Sequence, residues 1–377
     1  MKFAQFTMNC HTDAMQNGTK ILFLVPYPLN ESPSQRFRFE QYAAVLGHRG
    51  FQIRVQSFLD VHGWQIFFAS GKYFQKVWAL LVGFVKRWAI LIDVPFFDFV
   101  FIHREVAPLG PPVFEWILAK VFRKRIIYDF DDAIWLTDRT REPWIVKTLK
   151  WRQKTGAICR WSYKVSCGND YLANYAKKYN AKFVFNPTTI DTEGWHNPDL
   201  QAVTPDQGDC VVIGWTGSHS TLKYLEGIAP VLEKIERDFV NVQIVIIADR
   251  KPAMKLRSMV FIPWNKKTEV VDLMKIDIGI MPLPNDEWSQ GKCGFKALQY
   301  MALGKPVVAS AVGANNIIID DGTNGFLISS VEQWEYRLTQ LILEKALRKK
   351  MGESGRRMIQ AHYSVISNTS NFVSLFE

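Results

Sequence analysis

The residues best suited to chemistry lie in the stretch from Gly291 to Ser310, GKCGFKALQYMALGKPVVAS. Gly291 and Gly294 lead into a helical pattern that carries Lys292 and Lys296. A helix N-terminus leaves backbone N–H groups unpaired and glycines allow close approach, so such a loop is a ready anion site. Lysines four apart on a helix share a face. The pair therefore predicts a diphosphate cradle, the plainer alternative being two solvated lysines on an amphipathic helix. A second glycine turn, Gly217-Ser218, follows an apolar strand pattern and precedes another helix with Lys223. Two such turns in one half of the chain favour a phosphate ligand, with Lys223 either facing the same cleft or decorating its surface.

The other half offers three polar clusters. His103 and Arg104 end one apolar run, and His103 can serve as a general base, bond a sugar hydroxyl, or be a structural core histidine. Asp129, Asp131 and Asp132 in YDFDDAIW end another. Carboxylates there are costly unless solvated, paired or in contact with ligand. No spacing supplies further oxygen ligands, so hydroxyl recognition is expected rather than a metal. Arg36 and Arg38, in SQRFRFEQY, suit an anionic ligand or an ordinary charged surface. Trp215, Trp264 and Trp288 either pack in a core or stack on a base or sugar.

Parallel α/β units would position these groups, because short apolar runs alternate with helix-length amphipathic segments. The strand patterns begin at Ile21, Phe97, Arg125 and Tyr163 in the first half, and at Cys210, Val242, Ile276 and Lys305 in the second. Two strand sets imply two doubly wound sheets, with ligands at the carboxyl ends of the strands. Between them, residues 186 to 209 are rich in Pro, Asn, Asp and Thr and lack periodicity, as a linker does.

Composition narrows the partner. The 377 residues hold 46 Lys+Arg against 36 Asp+Glu, and 48% hydrophobic residues exclude a disordered chain. Residues 1 to 200 carry 26 basic and 17 acidic side chains, leaving 20 and 19 for the rest, so the first half owns the positive excess. Five scattered cysteines, without a C-x-x-C pair, argue against a disulfide framework or a zinc site and for a reducing compartment. Residues 1 to 19 lack an apolar signal core and read as a loose leader. The longest apolar run, from Val77, is interrupted by Lys86 and Arg87, so no membrane span is expected. Between Trp64 and Trp88, however, aromatics interleave with Lys72, Lys76, Lys86 and Arg87, the composition of an interfacial helix. Peripheral membrane contact through residues 64–92 is expected, the alternative being a core helix with a basic outer face.

The segments SQRFRFEQY, RIIYDFDDAIW, IGWTGSHSTLKYL, DIGIMPLPNDEW, GKCGFKALQYMALGKPVVAS and DGTNGFLI resemble the group 1, or family four, retaining glycosyltransferases of GT-B fold. The similarity runs from about Ile21 to Tyr363. It implies two Rossmann-like α/β domains facing a cleft: an acceptor-binding domain over 20–190, a nucleotide-sugar-binding domain over 191–362, and a helix over 363–377 that crosses back. Gly294 matches the glycine whose loop approaches the donor, and Met301-Ala302, Gly304 and Pro306 match the signature that follows. Gly214 matches the glycine ending the first strand of the donor domain, and Lys223 falls near the diphosphate-binding lysine. The family's Glu-x7-Glu pair is altered: Gln299 stands at the second glutamate and Gly291 eight residues earlier, leaving Asp286 or Glu287 as substitutes for the first. Trp215 replaces a common arginine, for which Lys292 and Lys296 would compensate. Asp131 stands where many relatives have a histidine near the donor sugar.

On this resemblance Asp131, His103 and Lys296 are the expected catalytic residues. Gly217, Ser218, Lys223, Lys292, Gly294, Lys296 and Gln299 would bind a UDP or GDP sugar. Arg36, Arg38, Arg104 and Asp132 would bind a carbohydrate or lipid-linked acceptor. The implied reaction needs no cofactor or metal: fixed positive charge stabilises the departing diphosphate, which itself helps deprotonate the acceptor. The implied setting is bacterial polysaccharide or glycolipid synthesis, in the cytoplasm at the inner face of the cell membrane. A sugar-nucleotide epimerase or a phosphorylase-like enzyme shares the architecture. A basic nucleic-acid-binding protein is the alternative of another class, and no recognition motif for it appears.

Overall fold

The computed structural model describes residues 18–69, 71–136, 148–201 and 208–377. Most of the expected leader, with Cys10, and residues 202–207 of the linker lie outside them. Two parallel six-stranded sheets form the scaffold. The first contains β1 (Lys20–Val25), β2 (Gln52–Ser57), β3 (Phe99–His103), β4 (Arg125–Phe130), β5 (Lys164–Cys167) and β6 (Phe183–Phe185), in the order β2-β1-β3-β4-β5-β6. The second contains β7 (Val211–Gly217), β8 (Val242–Ala248), β9 (Met259–Pro263), β10 (Ile278–Met281), β11 (Val307–Ser310) and β12 (Gly325–Ile328), in the order β12-β11-β10-β7-β8-β9. Strand order reverses between β1 and β3 in one sheet and between β7 and β10 in the other. Those two switch points are where open α/β sheets hold ligands.

Side chains alternate across each sheet because successive Cβ atoms point to opposite faces. In β1, Leu22 and Leu24 enter one core layer while Ile21, Phe23 and Val25 enter the other. In β7, Ile213 and Trp215 face one layer and Val212 the opposite one. Both faces are thus buried, which explains the continuous apolar runs of the inner strands.

The chain crosses between the domains twice, and the crossings touch. Ile190, after β6, forms an isolated parallel bridge with Ser364; Ile190 N–H donates to Tyr363 O at 2.8 Å, and Val365 N–H donates to Ile190 O at 3.0 Å. After the helix Lys345–His362, the helix Val365–Val373 returns to the first sheet, where Phe372, Leu375 and Phe376 share a core layer with Ile21, Phe23 and Phe101. The Phe372 ring stacks on Tyr42 at 4.2 Å.

Candidate functional site

Between the two sheets, the loop after β10 meets the loop after β4. Asp286 caps the short helix Glu287–Gln290, its Oδ1 accepting from Ser289 N–H at 2.7 Å. The chain then runs through Gly291, which a Cβ would place 2.7 Å from Cβ of Ala133 in the first domain. Gly294 has φ 69° and starts the helix Phe295–Ala302. Glycine adopts that left-handed conformation without the penalty other residues incur. Lys292 therefore precedes the helix and does not share its face with Lys296; the four-residue spacing expected to align them does not apply.

The two lysines nevertheless occupy one electrostatic neighbourhood. Lys292 Nζ lies 2.9 Å from Asp132 Oδ1, whose carboxyl is held below its usual range by Lys292 and Arg104 against the opposing effect of burial. Arg104 donates from Nε to Asp131 Oδ1 at 2.9 Å and from Nη2 to Asp132 Oδ2 at 2.7 Å. Arg104 itself has φ 61°, an unfavourable conformation for a side-chain-bearing residue. Tyr128 steadies it by donating its hydroxyl to Arg104 O at 2.8 Å.

Arg104 and Lys292 are thus each matched by a carboxylate, whereas among the described residues Lys296 is not. Among the described residues no acidic group reaches ion-pairing distance of its ammonium, which lies 5.4 Å from the centre of the Trp215 ring. Burial, and next the charge of Lys292, push its pKa down to about 8. Trp215 also contacts the other glycine turn, since a Cβ on Gly217 would stand 2.5 Å from its ring. The fold therefore brings Gly217, Trp215, Gly294 and Lys296 together at the β7/β10 switch point. Ser218 is exposed beside Gly217, its hydroxyl 2.8 Å from that of Ser220. Lys223 is exposed on the helix Leu222–Glu226, over the Tyr224 ring. Trp288 lies under Lys292 at 4.9 Å, and Trp264 donates to Glu269 Oε1 at 3.4 Å.

Several expected ligand contacts prove to be internal. Arg38 is fully buried, ion-paired to Asp129 and bonded to Asn186 O, so it does not face an acceptor. Asp129 in turn accepts from Ser166 Oγ at 2.5 Å and stands 2.8 Å from His103 Nδ1. His103 is equally buried, with Nε2 3.4 Å from Ser34 Oγ, so its place is in this network and not on the open cleft. Arg36 pairs at 2.7 Å with Glu269 of the second domain. Gln299 is 2% exposed, its amide nitrogen 3.3 Å from His196 Nε2 and 3.5 Å from Glu269 Oε1, so its side chain is occupied by internal partners. Burial, then Arg36, push the His196 pKa down to about 3, so the imidazole is neutral.

Glu269, His196, Cys293 and Asn169 are the interface residues that sequence reasoning missed. Cys293 Sγ lies 3.1 Å from Asp131 O, and Asn169 donates to Lys292 O at 2.9 Å. No local motif marks them, because each acts across the domain boundary. Among the described residues no three His, Cys, Asp or Glu side chains converge as metal ligands.

Residues 210–344 match the family model described as "Glycosyl transferases group 1". The chain is 29% identical over 80 residues to spore coat protein SA of Bacillus subtilis (strain 168), a match covering 20% of this chain and 21% of that protein, about a fifth of its length. Among solved structures, a glycosyltransferase from Rickettsia africae ESF-5 superposes with TM-score 0.69 at 14% identity, over 96% of this chain and 98% of that one. Sucrose-phosphate synthase from Thermosynechococcus elongatus gives 0.68 at 12% identity, over 95% and 98%. Anabaena Alr3699/HepE, in complex with UDP-glucose, gives 0.62 at 12% identity, over 94% and 99%. The chain has the GT-B fold.

Proposed function

We propose that the protein is a glycosyltransferase that moves a sugar from a nucleoside-diphosphate sugar to an acceptor hydroxyl. The observation that carries this reading is Lys296: a largely desolvated ammonium with no carboxylate at ion-pairing distance among the described residues, at a glycine-started helix N-terminus on a sheet switch point. An anion there would relieve both the missing pair and the unpaired N–H groups. The group 1 match over the same domain, and the UDP-glucose in the Anabaena neighbour, support a diphosphate nucleotide as that anion.

In this reading the diphosphate lies against the N-terminus of Phe295–Ala302, with Lys296 on the leaving phosphate. Negative charge developing there as the glycosidic bond breaks is stabilised by a charge already in place, so little reorganisation is required. Lys292, on the loop leading into that helix and paired with Asp132 of the first domain, adds positive charge beside Lys296. Asp131 and Asp132, partly exposed and held by Arg104, are positioned to accept hydrogen bonds from sugar hydroxyls. Retention at the anomeric carbon and a carbohydrate or lipid-linked acceptor follow from the group 1 resemblance.

A thermal-shift panel of UDP, GDP, ADP and their sugars tests the proposal. At least one nucleotide should raise the melting temperature, and Lys296→Ala should abolish the rise. No shift with any nucleotide, or an unchanged shift in the variant, would overturn the assignment. Conversion of a nucleotide sugar without acceptor would instead identify an epimerase.

A further inference from the structure

The helix Tyr73–Ile90 is apolar on two sides. Its inner side packs on the first domain: Phe84 meets Phe58 edge-on at 5.3 Å. Buried Arg87 on the same side donates to Val25 O at 2.7 Å and Val106 O at 2.8 Å. On its outer side Phe74, Val77, Trp78, Leu81, Val85 and Trp88 recur at three- and four-residue spacing and are all exposed, Phe74 by 93% and Trp78 by 68%. Ile92 and Phe96 extend this exposed surface beyond the helix. A surface helix ordinarily turns one apolar stripe inward; a second, outward one marks an interaction surface.

We propose that the outer stripe docks the protein onto an anionic lipid bilayer. From Gly71 to Leu91 the chain contains no acidic residue; Arg87 is internal and Lys86 pairs with Asp60 at 3.5 Å, which leaves exposed Lys72 and half-exposed Lys76, at the start of the helix, to complement lipid phosphates. The same face of a second copy would set lysine against lysine, which disfavours a dimer through this surface. The helix lies in the interfacial plane, with Phe74, Trp78 and Trp88 at headgroup depth and Lys72 and Lys76 on phosphates. The basic excess of the first half adds longer-range attraction. The preceding helix, Val61–Phe68, begins just beyond the carboxyl end of β2, and its Trp64 contacts Tyr27, just beyond β1, at 4.6 Å between ring centres. The start of the helix Tyr73–Ile90 therefore lies toward the carboxyl end of the first sheet, while Ile92 and Phe96 lead toward the amino end of β3.

Sedimentation of the full chain with phosphatidylcholine vesicles, with and without phosphatidylglycerol, tests this with no nucleotide present, independently of the catalytic proposal. Binding is expected with the anionic mixture, weakening as salt rises. Phe74→Asp with Trp78→Asp should lower the partition coefficient by about tenfold or more, and Lys76→Glu should lower it less. Melting temperatures should stay unchanged because these side chains project outward. Val240→Asp, at an exposed site in the second domain, should bind as the parent does. Absence of binding at low salt, or equal binding by the Phe74/Trp78 variant, would overturn the proposal. A dimer abolished by Trp78→Asp, without vesicle binding, would assign the stripe to a second copy instead.

Discussion

Lys296 shows how much a single residue's role depends on its surroundings. Its ordinary pKa lies near ~10.4, and burial beside Lys292 brings it to about 8. Below pH 8 the ammonium is charged and attracts a diphosphate; above it, the charge is lost. Nucleotide affinity should therefore fall as pH rises through about 8, and titration calorimetry across that range should find this fall missing in Lys296→Arg. The stability term has the opposite sense. Because the folded pKa lies below the unfolded one, the unfolded chain holds more protons between about pH 8 and ~10.4, so this term makes stability rise with pH there. Sequence spacing singled out Lys296, since a lysine one residue into a helix after Gly294 is visible in the chain. That none of the described carboxylates pairs with it was not visible, because the acids that satisfy Arg104 and Lys292 come from a loop about 160 residues away.

At the scale of elements, the eight apolar runs read as strands are the eight inner strands, while β2, β6, β9 and β12 were missed and all lie at sheet edges. Inner strands are buried on both faces and read as unbroken apolar runs; β2, QIRVQS, is partly exposed and mixed in composition, while β6, FVF, and β12, GFLI, are apolar but short. A similar ambiguity hid the role of Arg38. A basic residue near a strand end suits a ligand, yet here its guanidinium joins Asp129 at the end of β4, Ser166 in β5 and Asn186 after β6. Arg38→Met should cost about 3–5 kcal/mol in denaturant unfolding, since it leaves the Asp129 carboxylate buried without its cation. Loss of acceptor affinity at unchanged stability would contradict this structural role.

For the whole molecule, the C-terminal segment couples the domains, because the chain must leave the second domain beside Ile190 before Phe372 and Phe376 can complete the core of the first. Phe376→Ala should destabilise the first domain by about 3–5 kcal/mol through a cavity against Phe23 and Phe99. Unfolding followed at Trp64 or Trp88 should report that loss, and an unchanged midpoint would show that the tail contributes little to this core. The sequence by itself determined the class of fold, the separation into two sheets and the glycine-lysine segment, because periodicity, glycine turns and helix starts are local properties of the chain. Only the tertiary structure decided which charges remain unpaired, which polar residues are internal and which face of Tyr73–Ile90 meets solvent. Those outcomes depend on groups far apart in sequence competing for the same partners, and no local pattern records that competition.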